Sequence, residues 1–331
     1  MTPADLSRTV VRAVRCAVED GELGAGAVVP ERIVVERTRP GGVGEYASPV
    51  ALQLARTSGR APAEVADLLA RRLAGVVGIR RVEITGPGFL NFSLDDVDAA
   101  EDVVRAVRAR GFAYGSAERP REDAPPAVDV AVTVAGEEPR ARAVREAVGR
   151  LLAGQDVPVG PAAPDAAPVA RADGDVVRRF GADAARWGML ATDPAQPPHF
   201  DASLSVQGEA SEFFRVRYAV SRSRALVRNA GQLGFGPSST AAGAGSGPLL
   251  DALREYPLVL EAAAHHRAPE RLARHLVVLA DALLDFQYDV LPKGDEKPSA
   301  AHRSRLALAD AAGTVLAGGL TLLGIGAPDV V

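Results

Sequence analysis

The stretch FFRVRYAVSRSRALVRN, residues 213–229, constrains the fold more than any other part of the chain. Read at about 100° of rotation per residue, it puts Phe213, Val216, Ala219, Val220, Leu226 and Val227 on one apolar side, with Ser223 among them. A helix with such a side must bury it against other elements, which predicts a helical core around this segment. Phe214, Tyr218 and Ala225 fall on the opposite side. Arg217, Arg224 and Arg228 line one flank of that side, and Arg215 and Arg222 the other. An aromatic face between two rows of guanidinium groups suits an unpaired base stacked beside its phosphates, as single-stranded RNA recognition requires. The same pattern also describes a solvated helix face with Phe214 packed on a neighbour. At this point both readings stand.

At 331 residues and 47% hydrophobic content, the chain is long and apolar enough for two packed domains. The net charge of −4 supplies no global attraction to RNA, so any binding must come from local patches. Of 38 basic residues only Lys293 and Lys297 are lysine. That bias fits a GC-rich coding sequence as well as it fits arginine chemistry, and it discounts the arginine rows. Cys16 is the only cysteine, which leaves no disulfide framework and no cysteine zinc site. The first 23 residues are charged throughout and lack the apolar core of a signal peptide. No uninterrupted apolar run approaches bilayer length, so the expectation is a cytoplasmic protein with no membrane partner.

Taken in order, residues 3–20 have the spacing of an amphipathic helix, with Leu6, Val10, Ala13, Val14 and Ala17 near one face. IVVER at 33–37 is strand-like, and PGGVGEYAS at 40–48 has the composition of a glycine-rich loop. Two helices follow, PVALQLAR and, after Pro62 in a first-turn position, AEVADLLARRLAGVV. RVEIT at 81–85 and FLNFSL at 89–94 alternate like strands joined by Gly86, Pro87 and Gly88, and 95–110 is helical again. A proline- and charge-rich linker opens at 116. VDVAVTV at 128–134 has a buried-strand pattern, and EPRARAVREAVGRLLA at 138–153 a helical one. GFGPSSTAAGAGSG at 234–247 is a flexible connection.

GADAARW, FDASLS and FFRVRYAVSRSRAL, in that order, resemble the start of the anticodon-binding domain of arginyl-tRNA synthetases, where GADALRY, FDLDLA and a YYVQYAHAR-like helix are usual. RLARHLVVLADALLDF and SRLALADAAGTVLAGGLTLLGIGAPDVV are similar to that family's closing helices. GEYASPVALQLAR and GPGFLNFSL are similar to segments of its N-terminal domain. The resemblance implies an α+β N-terminal domain with a small antiparallel sheet at 1–115, a short βα remnant of the catalytic domain at 116–174, and an all-α anticodon-binding bundle of DALR type at 175–331. It also implies partners and sites. The partner is tRNA, most directly tRNA-Arg, and the full-length synthetase or another protein is a second candidate. Phe214, Arg215, Tyr218 and Arg222 would meet the anticodon. Phe89 and Asn91, two apart on one strand and so on one face, would meet the splayed base of the D-loop. The chain departs from the family where Arg215 replaces a second tyrosine, Val220 a histidine, Trp187 a tyrosine, and Val331 a common final methionine.

The catalytic chemistry of that family has no counterpart here. Class I synthetases use an H-I-G-H helix start and a K-M-S-K-S loop to neutralise charge on the transferring phosphates. His199, His265, His266, His275 and His302 all fall far beyond the place of the first motif, where Glu137 and Glu138 stand. Both lysines lie in the surface-type sequence LPKGDEKP. The 58 residues from 117 to 174 have room for one βαβ unit or two, at roughly 30 or more residues each, and not for a nucleotide-binding sheet. No P-loop, nucleophile elbow or metal-spaced histidine cluster is present, and paired His265 and His266 suit a solvated helix end. The expected function is tRNA binding without aminoacylation and without a cofactor. One alternative is arginine–tRNA ligase activity, with ATP and arginine, complemented by a partner. The other is an interaction module that has dropped RNA.

Overall fold

The computed structural model describes residues 1–24, 26–30, 33–38, 41–95, 99–117, 138–155, 163–238 and 247–328. The strand pattern at 128–134, Glu137, most of the glycine–serine connection and Val331 lie outside them. The chain divides into two compact units, Met1–Asp102 and Val103–Val331.

The first unit opens with α1 (Pro3–Glu19). Thr2 and Asp5 close a reciprocal capping box and Pro3 occupies the first turn, so three of the first residues are committed to starting a helix. Leu6, Val10, Val14 and Ala17 recur on one face and are all fully buried. The sheet contains β1 (Glu36–Arg37), β2 (Tyr46–Ser48), β3 (Ile79–Thr85) and β4 (Phe89–Leu94), in the order β1-β2-β4-β3 and antiparallel throughout. Helices α2 (Val50–Ser58) and α3 (Pro62–Leu73) connect β2 to β3. Leu90, Phe92 and Leu94 send their side chains into a core shared with α1, α2 and α3. Strand pairing reaches further than composition implied. Tyr46–Ser48, at the end of the glycine-rich segment, pairs with Phe92, Asn91 and Leu90, whereas only the last two residues of IVVER are strand. Buried Tyr46 and Ser48 explain this, since alternate side chains there enter the core despite the preceding glycines.

The second unit is helical: α4 (Ala99–Arg110, which spans the boundary), α5 (Pro139–Gly154), α6 (Val176–Phe180), α7 (Ala182–Leu190), α8 (Glu212–Gln232), α9 (Pro248–His265), α10 (Pro269–Phe286) and α11 (Ala300–Leu323). It thus matches the expected all-α bundle, as the first unit matches the expected small antiparallel sheet. Helix α11 is central, packing against α8, α10, α5 and α9. Its small residues permit close approach. A Cβ on Gly313 would stand 2.2 Å from Ser223 Oγ of α8, and that hydroxyl donates to the Ala309 carbonyl at 2.9 Å. Ser223 therefore belongs among the apolar residues of its helix because it binds the neighbouring backbone. Ala300–Leu323 is long and apolar enough to cross a bilayer by length and composition, but 78% of its apolar window is buried inside the protein, which marks the core helix of this bundle.

Two polar knots fix the remaining helices. Pro257, inside α9, cannot donate to the Leu253 carbonyl; Tyr114 Oη donates to it instead, at 3.1 Å, and His275 Nε2 of α10 donates to the adjacent Ala252 carbonyl at 2.9 Å. Arg140, near the start of α5, is fully buried. Its guanidinium donates to the carbonyls of Met189, Ala167, Gln196, Thr192 and Asp193 at 2.5–3.2 Å. Glu138 caps the same helix through the amides of Arg140 and Ala141 and also accepts from Val169 N. The glutamate standing near the expected phosphate-binding histidines is thus a structural cap.

Candidate nucleic-acid interface

Helix α8 begins at Ser211, whose side chain accepts from Phe214 N, and runs for 21 residues. Phe213, Val216, Ala219, Val220, Ser223 and Leu226 are buried, as their spacing requires. Phe214 and Tyr218 lie on the other side, one turn apart, with rings stacked at 5.6 Å between centroids and 11° between planes. Tyr218 is 38% exposed and Phe214 is half-buried. The pair offers a flat aromatic surface to solvent, which is the geometry that base stacking needs.

The two arginine rows differ once neighbours are placed. Arg215 binds Asp281 of α10 in a forked pair, Nε to Oδ1 at 2.7 Å and Nη2 to Oδ2 at 3.2 Å, while Nη1 donates to the Glu209 carbonyl. The hydrogen bonds to Asp281 hold its pKa above the ordinary arginine value. Arg222 Nε donates to the Gln287 side chain. Arg224 Nη1 donates to the Pro328 carbonyl. Arg217 instead lies over the Phe213 ring, 5.4 Å from its centroid, with Nε buried and unbonded. It lines a cleft of about 500 Å³ together with Phe180, Asp183, Leu204, Gln207 and Phe214. Asp281 and Gln287 were not legible in the sequence, because they meet α8 through contacts 66 and 65 residues away along the chain, and the cleft was not because it brings Phe180 and Asp183 onto α8 from α6 and α7. The single local sign was the acidic spacing Asp281, Asp285, Asp289.

In the first unit, Phe89 and Asn91 share the face of β4 opposite the core. Gly88 precedes them at φ 141°, where a Cβ would press on Pro62 O at 3.0 Å, so the tight turn that presents Phe89 needs glycine. Phe89 is 39% exposed. Asn91 is largely buried, its Nδ2 donating to Thr85 Oγ1 at 2.8 Å. It therefore offers little free edge of its own. The two site groups lie in different units: Phe214, Arg215, Tyr218 and Arg222 come together on α8, and Phe89 and Asn91 on β4. Among the described residues no group of three or more His, Cys, Asp or Glu is placed to hold a metal ion. His265 and His266 are exposed at the end of α9, and Trp187 packs on Phe213 at 5.8 Å.

Residues 6–94 match the arginyl tRNA synthetase N terminal domain, and residues 216–331 match the DALR anticodon binding domain. Curated relatives include the arginine–tRNA ligases of Frankia alni, 51% identical over 121 residues, and of Kineococcus radiotolerans, 46% identical over 121 residues. Those segments cover 37% and 36% of this chain but only 21% and 22% of the relatives, so the match spans about a fifth of their length. Thermus thermophilus arginyl-tRNA synthetase shares the fold, with a TM-score of 0.57 at 15% identity, covering 100% of each chain. The chain is therefore a relative of the arginyl-tRNA synthetases that carries their N-terminal domain and a DALR anticodon-binding domain.

Proposed function

We propose that this chain binds tRNA, tRNA-Arg before others, through α8 and β4, and does not aminoacylate it unaided. The observation that carries the reading is the stacked, solvent-facing pair Phe214 and Tyr218 within a helix of the anticodon-binding type. Exposed Phe89 adds a second aromatic platform suited to the unpaired D-loop base. The segment between the matched domains lacks H-I-G-H and K-M-S-K-S sequences, which supports a role that ends at binding, in the cytoplasm, where tRNA is charged. Such a protein would sequester or deliver tRNA, or compete with a full synthetase. Gel-shift titration of tRNA-Arg against other tRNAs tests this. Equal, weak binding to all of them that vanishes with salt would refute the specific form, and robust arginine-dependent ATP–pyrophosphate exchange by the pure chain would refute the non-catalytic form.

A second reading has its own observation. Arg215 is neutralised by Asp281 and Arg222 is engaged by the side-chain amide of Gln287, which halves the net charge of this flank of α8 and makes it compatible with a protein partner. Complete absence of tRNA binding, with capture of the full-length synthetase, would favour it.

A further inference from the structure

The forked pair between Arg215 and Asp281 joins α8 to α10 at the edge of the Phe214–Tyr218 platform. Its side chains remain in contact with water, Arg215 at 22% and Asp281 at 46% exposure. A carboxylate held in this way presents its two oxygens to one edge of the guanidinium, Nε and Nη2, the same geometry in which a phosphate would be bound. Asp285 follows one turn later on α10, whereas Asp289 lies in the 3-10 turn after that helix and pairs with Lys293. An RNA backbone approaching Tyr218 thus meets at Arg215 a cation already occupied by a carboxylate.

We propose that Asp281 is an internal phosphate mimic that restrains RNA binding at this face. It occupies Arg215 until a correctly stacked RNA displaces it, so that a phosphate contact alone wins no binding. The proposal rests on the tRNA-binding reading and states how that site is regulated. Its consequence is selectivity: RNA that cannot stack on Phe214 and Tyr218 gains nothing from Arg215, while RNA that stacks exchanges one anion for another.

The test is tRNA binding by the full chain as a function of salt, comparing wild type, Asp281→Asn, Arg215→Gln and the double variant, with unstructured poly-uridine as the second ligand. For poly-uridine, which does not displace Asp281, freeing Arg215 adds one phosphate contact, steepens log K against log salt by about 0.7 and tightens binding about fourfold at 0.15 M salt. For tRNA, which already displaces Asp281, avoiding rupture of an exposed ion pair tightens binding up to about fivefold with the salt slope unchanged. D281N should therefore bind poly-uridine about fourfold more tightly with a steeper slope, and tRNA up to about fivefold more tightly without one, and adding R215Q should remove both gains. Unchanged or weaker binding by D281N, or a gain that persists in the double variant, overturns the latch while leaving tRNA binding intact. Absence of binding by every variant overturns the tRNA-binding reading and the latch with it.

Discussion

Arg140→Met separates a structural role of the middle segment from a vestigial one. The substitution keeps most of the aliphatic stem and removes a guanidinium that donates to five carbonyls. Each hydrogen bond from a charged donor is worth about 1.5–3 kcal/mol alone, but the five are not additive. Burial also depresses the Arg140 pKa, so part of the gain is already spent on desolvation. The carbonyls do not lose equally. Thr192, Asp193, Gln196 and Ala167 are at least partly exposed and can turn to water, whereas Met189 is buried and keeps an unpaired oxygen. The net cost is then about 3–5 kcal/mol, the range for removing one partner of a buried ionic network. For a helical unit of this size that corresponds to a fall in Tm of roughly 2–4 °C per kcal/mol, or about 6–20 °C in all. Arg140→Lys should be nearly as damaging, since one ammonium cannot reach five divergent oxygens. Thermal melts followed by far-UV circular dichroism would measure both. A shift under about 2 °C for R140M, or full rescue by lysine, would show that the carbonyl cluster does not fasten α5 to the bundle.

Tyr218→Ala removes half of the stacked platform and should weaken tRNA binding by about 1–3 kcal/mol, roughly 5- to 150-fold, with Tm nearly unchanged because the ring is already 38% exposed; filter-binding and melting measured together would expose a merely structural effect. Burial lowers the His275 pKa to about 4, well below the ordinary 6.5, so the unfolded chain takes up a proton that the folded chain refuses between those values. Stability should fall by up to about 3 kcal/mol as pH drops from about 6.5 to 4. Glu270, whose pKa is raised by burial, acts with the opposite sign, its ionisation penalty being relieved as pH falls. Urea melts at pH 7 and pH 4.5 on wild type and His275→Gln isolate the histidine, and an equal acid response in the two proteins would contradict the assignment.

Sequence periodicity reached the elements whose side chains declare a face. Leu6, Val10 and Val14 mark α1, Leu90, Phe92 and Leu94 mark β4, and Phe213, Val216 and Val220 mark α8; all are buried as their spacing demands. Strand β2 was hidden because its signal is three residues long and follows three glycines at 41, 42 and 44, where local composition reads as loop. Helix α11 was legible as apolar, yet its central place depends on a close crossing with Ser223 that only packing reveals. For the candidate site, the aromatic pair and the arginine rows could be placed on α8 from spacing alone. The state of each arginine could not, because Asp281 and Gln287 come from another helix.

The state of each arginine decides how discriminating a binding face on α8 can be. A row of arginines on an exposed helix attracts any polyanion, and the cost of such attraction is indiscriminate binding in a cell full of RNA. Here Arg215 is neutralised by Asp281, while Arg222, Arg224 and Arg217 have donors turned to a side-chain amide, a carbonyl and an aromatic ring, which ties them without removing their charge, and Arg228 is exposed. The charge rows therefore contribute less affinity than their sequence suggests, and the share left to shape and stacking grows accordingly. If so, tRNA binding by this chain should depend weakly on salt and strongly on Tyr218. A salt slope large enough to require six or more phosphate contacts, insensitive to Tyr218→Ala, would mean that the arginines act freely and that the pairs seen around α8 do not persist in solution.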